Sequence, residues 1–186
     1  TTPWTMPGNR AMACGAEIAY SAFRITETSD SSLAQLGEVI CLADELKDRV
    51  FDETGIVKAD VVTHFTGAEI AGSVAHHPMF SQGYDHDVPL FLADYVTTEQ
   101  GTGIVHCAPS HGPDDFNLCL TNGIKAIETV DGDGKYTKNV LLFEGTHIFK
   151  ANPIIIQKLK EENKLLSSGH LIHSYPHSWR SKAPLV

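Results

Sequence analysis

The sequence has no apolar run near the roughly twenty residues that a membrane-spanning helix needs. It also has no charged-then-apolar opening of the secretory kind, no internal repeat and no low-complexity segment. Cations are scarce: 14 Lys and Arg stand against 23 Asp and Glu, for a formal net charge of −9. Counterion release from a nucleic acid needs clustered Lys and Arg, so general nucleic-acid affinity is excluded. A local contact remains open, because Lys158, Lys160 and Lys164 share one predicted helix and Arg180 and Lys182 lie near the C-terminus. Cysteines number only four, Cys14, Cys41, Cys107 and Cys119, with no C-x-x-C pair. Each stands in or beside an apolar run, as buried free thiols do. That fits a reducing cytoplasm better than a disulfide framework.

What is present describes a globular protein. Its 186 residues are 42% hydrophobic and 20% charged, enough for one domain with a full core and no covalent staples. The chain starts on Thr1-Thr2-Pro3-Trp4-Thr5 without a methionine and stops on the apolar Ala183-Pro-Leu-Val186. The expectation is a single domain, residues 1–186, belonging to a longer polypeptide.

Residues 1–10 hold two prolines and a glycine and read as loop, with Trp4 either packed on the core or lining a pocket. Strands are predicted at 11–14, at 17–25 with Ile18, Tyr20, Ala22 and Arg24 on one face, and at 37–42, 60–66, 88–98 and 126–130. Glu27 to Ser32 reads as a polar turn. Helices are predicted at 43–50, with Leu46 and Val50 inward, and from a cap at Asn152-Pro153 to about Leu166, with Ile155 and Leu159 inward. Many short strands, few helices and no βαβ alternation predict an α+β fold, mainly antiparallel and barrel-like, with peripheral helices.

The most informative stretch is Gly101-Thr-Gly-Ile-Val-His106-Cys-Ala-Pro-Ser110-His111-Gly-Pro-Asp114-Asp115-Phe116. A short apolar run ends in His106, turns through small residues and enters a helix. Gly112 is its predicted N-cap, Pro113 its first residue, Asp114 and Asp115 its first turn, and Asn122-Gly123 its stop. Phe116, Cys119 and Leu120 form the expected apolar stripe. Such a corner can gather imidazole, carboxylate and free N–H groups around one small ligand. Each part also has a plain structural reading: the macrodipole alone favours acids in a first turn, and Gly-Thr-Gly can be only a tight turn.

Metal readings are weak. His76-His77 would point to opposite strand faces, Asp131-Gly-Asp-Gly134 lacks the ligand spacing of a calcium loop and reads as a hairpin turn, and His173 and His177 have no cysteine partners. A Cys-His hydrolase built on Cys107 and His106 meets the same objection, since neighbours on a strand diverge.

Three segments together, Thr1-Thr-Pro-Trp-Thr-Met-Pro-Gly-Asn9, Gly101 to Phe116, and His173-Ser-Tyr-Pro-His-Ser-Trp-Arg180, resemble the inserted editing domain of isoleucyl-tRNA synthetases, connective polypeptide 1. The resemblance covers essentially the whole chain in order. It departs from the family at Met6, Gly8 and Ser178, where Leu, Ala and Cys are expected.

The resemblance implies hydrolysis of the ester joining valine to the 3′ adenosine of isoleucine tRNA, by a water with no protein nucleophile. Thr1 and Thr2 then fall on the last two of three family threonines that orient that water. Trp4 and Asn9 fall in the pocket segment, and Gly101 and Thr102 fall among the substrate-binding residues. His106 bounds the amino-acid pocket, and Asp115 holds the α-ammonium. Implied partners are the tRNA 3′ end and the remaining synthetase domains, with no membrane partner and a monomeric state. No metal or cofactor is implied for editing. ATP and magnesium belong to a ligase site whose His-Ile-Gly-His-like and Lys-Met-Ser-Lys-Ser-like signatures this sequence lacks. The competing readings are a valyl- or leucyl-type editing domain and a tRNA-docking module with no activity.

Overall fold

A computed structural model describes residues 1–169 and Trp179. The predicted terminal cluster of His173, His177, Ser178, Arg180 and Lys182 lies outside the described residues.

Two sheets organise the chain. In one, β1 (Ala11–Cys14) lies between β6 (Asp87–Leu92) and β7 (Ile104–Cys107), and β5 (Val74–His76) flanks β6. In the other, β2 (Ala19–Thr28) lies between β3 (Val39–Ala43) and β4 (Ile56–Thr66). The pairing is antiparallel throughout except for β1 with β6, which run parallel. The fold is therefore mixed α and β. Its described strands form two sheets and no closed barrel.

Small side chains explain the centre of the first sheet. Ala11, Ala13 and Cys14 are buried, which lets neighbouring elements close over both faces of a four-residue strand. In β2 the core face is Ser21, Phe23 and Ile25, while the predicted Tyr20–Ala22–Arg24 face is buried only at Tyr20. Leu46 and Val50 point inward as predicted, although the helix divides into a 3-10 turn at Asp44–Leu46 and α1 at Lys47–Thr54. The Gly67–Ile70 turn is a short helix, α2, closed by a capping box between Thr66 and Glu69.

Other expectations are corrected. Residues 3–8 form a 3-10 helix and not an open loop, while Trp4, 6% exposed, packs in the core as one of its two readings had it. The predicted strand at 126–130 shrinks to one bridge, Val130 with Tyr136. The Asp131 turn is a hairpin turn as expected: its Oδ1 accepts from Asp133 N and Lys135 N, both at 2.9 Å.

The helix Pro113–Thr121, α3, starts and stops where the sequence places it, but Phe116 and Leu120 are exposed and only Cys119 of the stripe is buried. The last helix, α4, begins at Ile148 with His147 as its cap, not at Asn152-Pro153. Ile148 and Ala151 are fully buried, and burying that extra turn outweighs the missing N–H of Pro153. It stops at Glu161, short of Leu166. Asn163 takes a left-handed conformation, and Asn163 N and Lys164 N bond back to Lys160 O and Leu159 O.

All four cysteines are free, but Cys41 is exposed, against the expectation of burial. Among the described residues no helix is long and apolar enough to cross a membrane.

Candidate functional site

The 3-10 helix at Pro3–Gly8 lies over the C-terminal end of β7. Pro3 and Pro7 fix two φ angles, and Trp4 is sealed among Met79, Tyr84, Tyr136, Phe143 and Ile155. The Trp4 ring also meets His111 edge-on, with centroids 4.6 Å apart. This core contact fixes one side of the segment and leaves Thr5 facing the sheet.

Thr5 is the link that the sequence did not reveal. Its hydroxyl donates to Thr2 O at 2.9 Å and lies 3.1 Å from His106 Nε2. A hydroxyl has one proton, and the Thr2 carbonyl can only accept. His106 Nε2 is therefore the donor to Thr5 Oγ1, and Nδ1 carries the free lone pair. That Nδ1 is buried without a partner among the described residues. Burial, the largest cause, pushes the His106 pKa down to about 4. The ring is neutral at physiological pH.

On the far side of the β7–α3 turn, Asp115 is half-buried, and its Oδ2 accepts from Ala108 N at 2.8 Å. Burial raises its pKa; the Ala108 hydrogen bond opposes that shift, and the neighbouring Asp114 charge adds to it. Asp114 itself is exposed. One chain of contacts thus joins Thr2, Thr5 and His106 and continues through the β7–α3 backbone to Ala108 and Asp115.

Unpaired polar atoms concentrate here. Among the described residues, the buried side-chain N and O atoms without a partner are Trp4 Nε1, Asn9 Oδ1, Arg10 Nε and His106 Nδ1, all in this corner, and Asn152 Oδ1 elsewhere. Buried polar groups are normally satisfied, so donors and acceptors left open together mark a place that a ligand or water completes. A cleft of about 420 Å³ adjoins the corner, lined by Trp4, His111, Phe116, Ile127, Glu128 and Asp131 among others.

Thr1 and Thr2 are exposed at the mouth of the site. Gly101 and Thr102 are not brought to it. They precede β7 at its opposite end, where Thr102 O accepts from Ala43 N and the Tyr20 hydroxyl donates to Gly103 O. Gly103 has φ +79, and an added Cβ would stand 2.5 Å from that of Ala43, so this glycine serves packing. His76, the last residue of β5, is exposed, and His77, just beyond the strand, is buried. No group of three metal-ligating side chains occurs among the described residues.

Cys107 is no nucleophile. It is fully buried, its sulfur lies 3.6 Å from the Tyr95 hydroxyl, and burial pushes its thiol up to about 12.

Three rings, His77, His106 and His111, are held near pKa 4, in each case chiefly by burial. Their folded pKa lies below the ordinary value of about 6.5, so the unfolded chain binds more protons between those values. The stability they contribute is complete above that ordinary value and is lost as pH falls toward 4. The slope is at most ~1.4 kcal/mol per pH unit for each ring. The raised Asp115 works in the opposite sense and is one group against three. The urea midpoint should therefore fall clearly between pH 7 and pH 4.5; an unchanged midpoint would contradict neutral burial of these rings.

Residues 48–166 match the family described as "Leucyl-tRNA synthetase, editing domain". The isoleucine–tRNA ligase of Pelagibacter ubique is 57% identical over 186 residues, which cover all of this chain and 20% of that protein. That of Gluconobacter oxydans is 42% identical over 197 residues, again with 100% and 20% covered. Among solved structures, "GlLeuRS-CP1" superposes with a TM-score of 0.65 at 14% identity, covering 88% of this chain and 78% of that one. The cytosolic leucyl-tRNA synthetase editing domain of P. knowlesi gives 0.65 at 10%, covering 88% and 80%. Likeness at such identity establishes the fold. The chain spans about a fifth of the length of the curated relatives it matches.

Proposed function

The chain belongs to the aminoacyl-tRNA synthetase editing-domain family, and from that membership we propose that it hydrolyses the ester joining valine to the 3′ adenosine of isoleucine tRNA. The observation that supports this most is the cluster of unpartnered buried polar atoms on Trp4, Asn9, Arg10 and His106 beside the Asp115 turn. These enclosed polar atoms mark a polar corner beside the cleft, and the thiol nearest to it, Cys107, is buried and held protonated. Attack by water is the chemistry such a corner supports.

The need for this reaction is physical. A missing methylene is worth only ~1–3 kcal/mol in an apolar pocket, so a site that charges isoleucine also accepts valine, and a second, smaller site must remove it. That magnitude is general and is best known from this very pair of amino acids.

In this reading the Asp115 carboxylate binds the α-ammonium and the neutral His106 ring walls the pocket against the larger side chain. Trp4 and Asn9 line the pocket, and the Thr1 and Thr2 hydroxyls orient water. Gly101 and Thr102, beyond the far end of β7, meet a more distant part of the substrate. Hydrolysis here requires no metal or cofactor. The partners are the tRNA 3′ end and the rest of a longer cytoplasmic synthetase that supplies ATP-dependent charging, and the molecule works as a monomer. Packing the two sheets and helices into one barrel-like unit completes the proposed architecture.

The test is deacylation of isoleucine tRNA charged with valine and, separately, with isoleucine. The wild type should release valine and spare isoleucine. His106→Ala widens the pocket and should gain activity on the isoleucine ester. A variant that loses valine release without that gain would overturn the wall role. Tight binding of a valyl-adenosine analogue with negligible hydrolysis by the wild type would favour a docking module instead.

A further inference from the structure

The Trp4–Asn9 segment lacks one of the backbone bonds that would fix its shape. In a 3-10 helix each N–H bonds the carbonyl three residues earlier, and Pro7 has no N–H to give to Trp4 O. The Tyr136 hydroxyl supplies that bond at 2.6 Å from a buried position.

Two more carbonyls of the segment receive side-chain donors, both from the connection between β5 and β6. His77, immediately after β5, has Nδ1 accepting from Met79 N at 3.1 Å. Its Nε2 must therefore carry the proton, and it donates to Met6 O at 2.9 Å. His86, immediately before β6, donates from Nε2 to Asn9 O at 2.9 Å. The rings brace each other: His77 stacks on Tyr84 at 4.6 Å and lies 5.2 Å from His86.

From this pattern we infer that Tyr136, His77 and His86 are positioning residues, a frame of three donors that sets the Trp4–Asn9 turn and through it Thr5 and His106. The frame requires a neutral His77, because a second proton on that ring would face the Met79 N–H. Burial keeps that ring neutral. None of the three side chains bonds Thr5 or His106, so the action passes through backbone. The consequence for catalysis rests on the editing reading; the consequence for the shape of the segment does not.

The experiment uses this chain with Trp179→Phe, so that Trp4 is the sole indole, and adds His86→Ala, His86→Gln or Tyr136→Phe. His86 is only partly buried and Tyr136→Phe preserves volume, so these variants keep the fold; circular dichroism verifies it. His86→Ala and Tyr136→Phe should shift Trp4 emission and lower turnover of Val-tRNA on the order of 10–100-fold, with KM changed much less. His86→Gln places an amide donor where Nε2 stood and should restore both readings. Unchanged Trp4 emission in His86→Ala, or failure of Gln to restore it, overturns the inference. If the wild type releases no valine while emission still follows the donor, the frame stands and the editing reading falls.

Discussion

Asp115→Ala is expected to abolish binding of valyl-adenosine analogues and hydrolysis together, by on the order of 10²–10³-fold. An aminoacyl ester carries a free α-ammonium, and an ionised carboxylate is its natural partner. Asp115 occupies the third position of α3, after the Gly112 cap and Pro113, where the helix dipole favours an anion. Its burial works the other way and raises the pKa, and a bound cation would offset that cost of burial.

The alanine variant alone is ambiguous, because Asp115 also caps Ala108 N–H. Asp115→Asn separates the roles: its amide oxygen can still accept from Ala108, while the charge is gone. It should be as inactive as the alanine variant but more stable. Exposed Asp114, changed to Ala, should do little. N-acetylated Val-tRNA, lacking the ammonium charge, should be a poor substrate for the wild type and no worse for the variants. Near-normal hydrolysis by Asp115→Asn would make the residue a turn cap and nothing more.

The legible parts of this molecule were those set by short-range chemistry. Gly112-Pro113 and Asn122 bounded α3 because caps act over three or four residues. The β7 strand and its His106 followed from the same local pattern, as did burial of Leu46 and Val50. What tertiary packing decides was misread. The proline-rich segment is a 3-10 helix and not a loop because distant residues close over Trp4, among them Tyr136, 132 positions later. The start of α4 moved ahead of Pro153 because Ile148 and Ala151 find a core to enter. The sheets include one parallel pair that no hairpin signal announces.

At the site the difference is similar. His106, Asp115, Trp4 and Asn9 stood out in the sequence. Thr5, His111, Tyr136 and the His77–His86 pair did not, since their roles come from contacts across 18 to 132 positions.

Thr1→Ala with Thr2→Ala is expected to slow hydrolysis on the order of 10²–10³-fold while analogue binding changes little, as loss of positioned donors in acyl transfer commonly does. Both side chains are exposed at the mouth, and neither is needed for the core. The backbone beneath them is held separately: Thr2 O accepts from both Thr5 N and the Thr5 hydroxyl, and alanine at position 2 retains that carbonyl. The double variant therefore removes hydroxyls without loosening the turn. Thr5→Val does the reverse, keeping Thr1 and Thr2 but breaking the bond to His106 Nε2. It should slow valine release and also weaken rejection of isoleucine, because the ring that walls the pocket loses its anchor. Single-turnover rates on both esters would check this, in a chain extended ahead of Thr1 so that no terminal ammonium stands beside the hydroxyls. If the double variant releases valine at the wild-type rate, the threonines only cover the site, and the attacking water is oriented by the ester's own ribose.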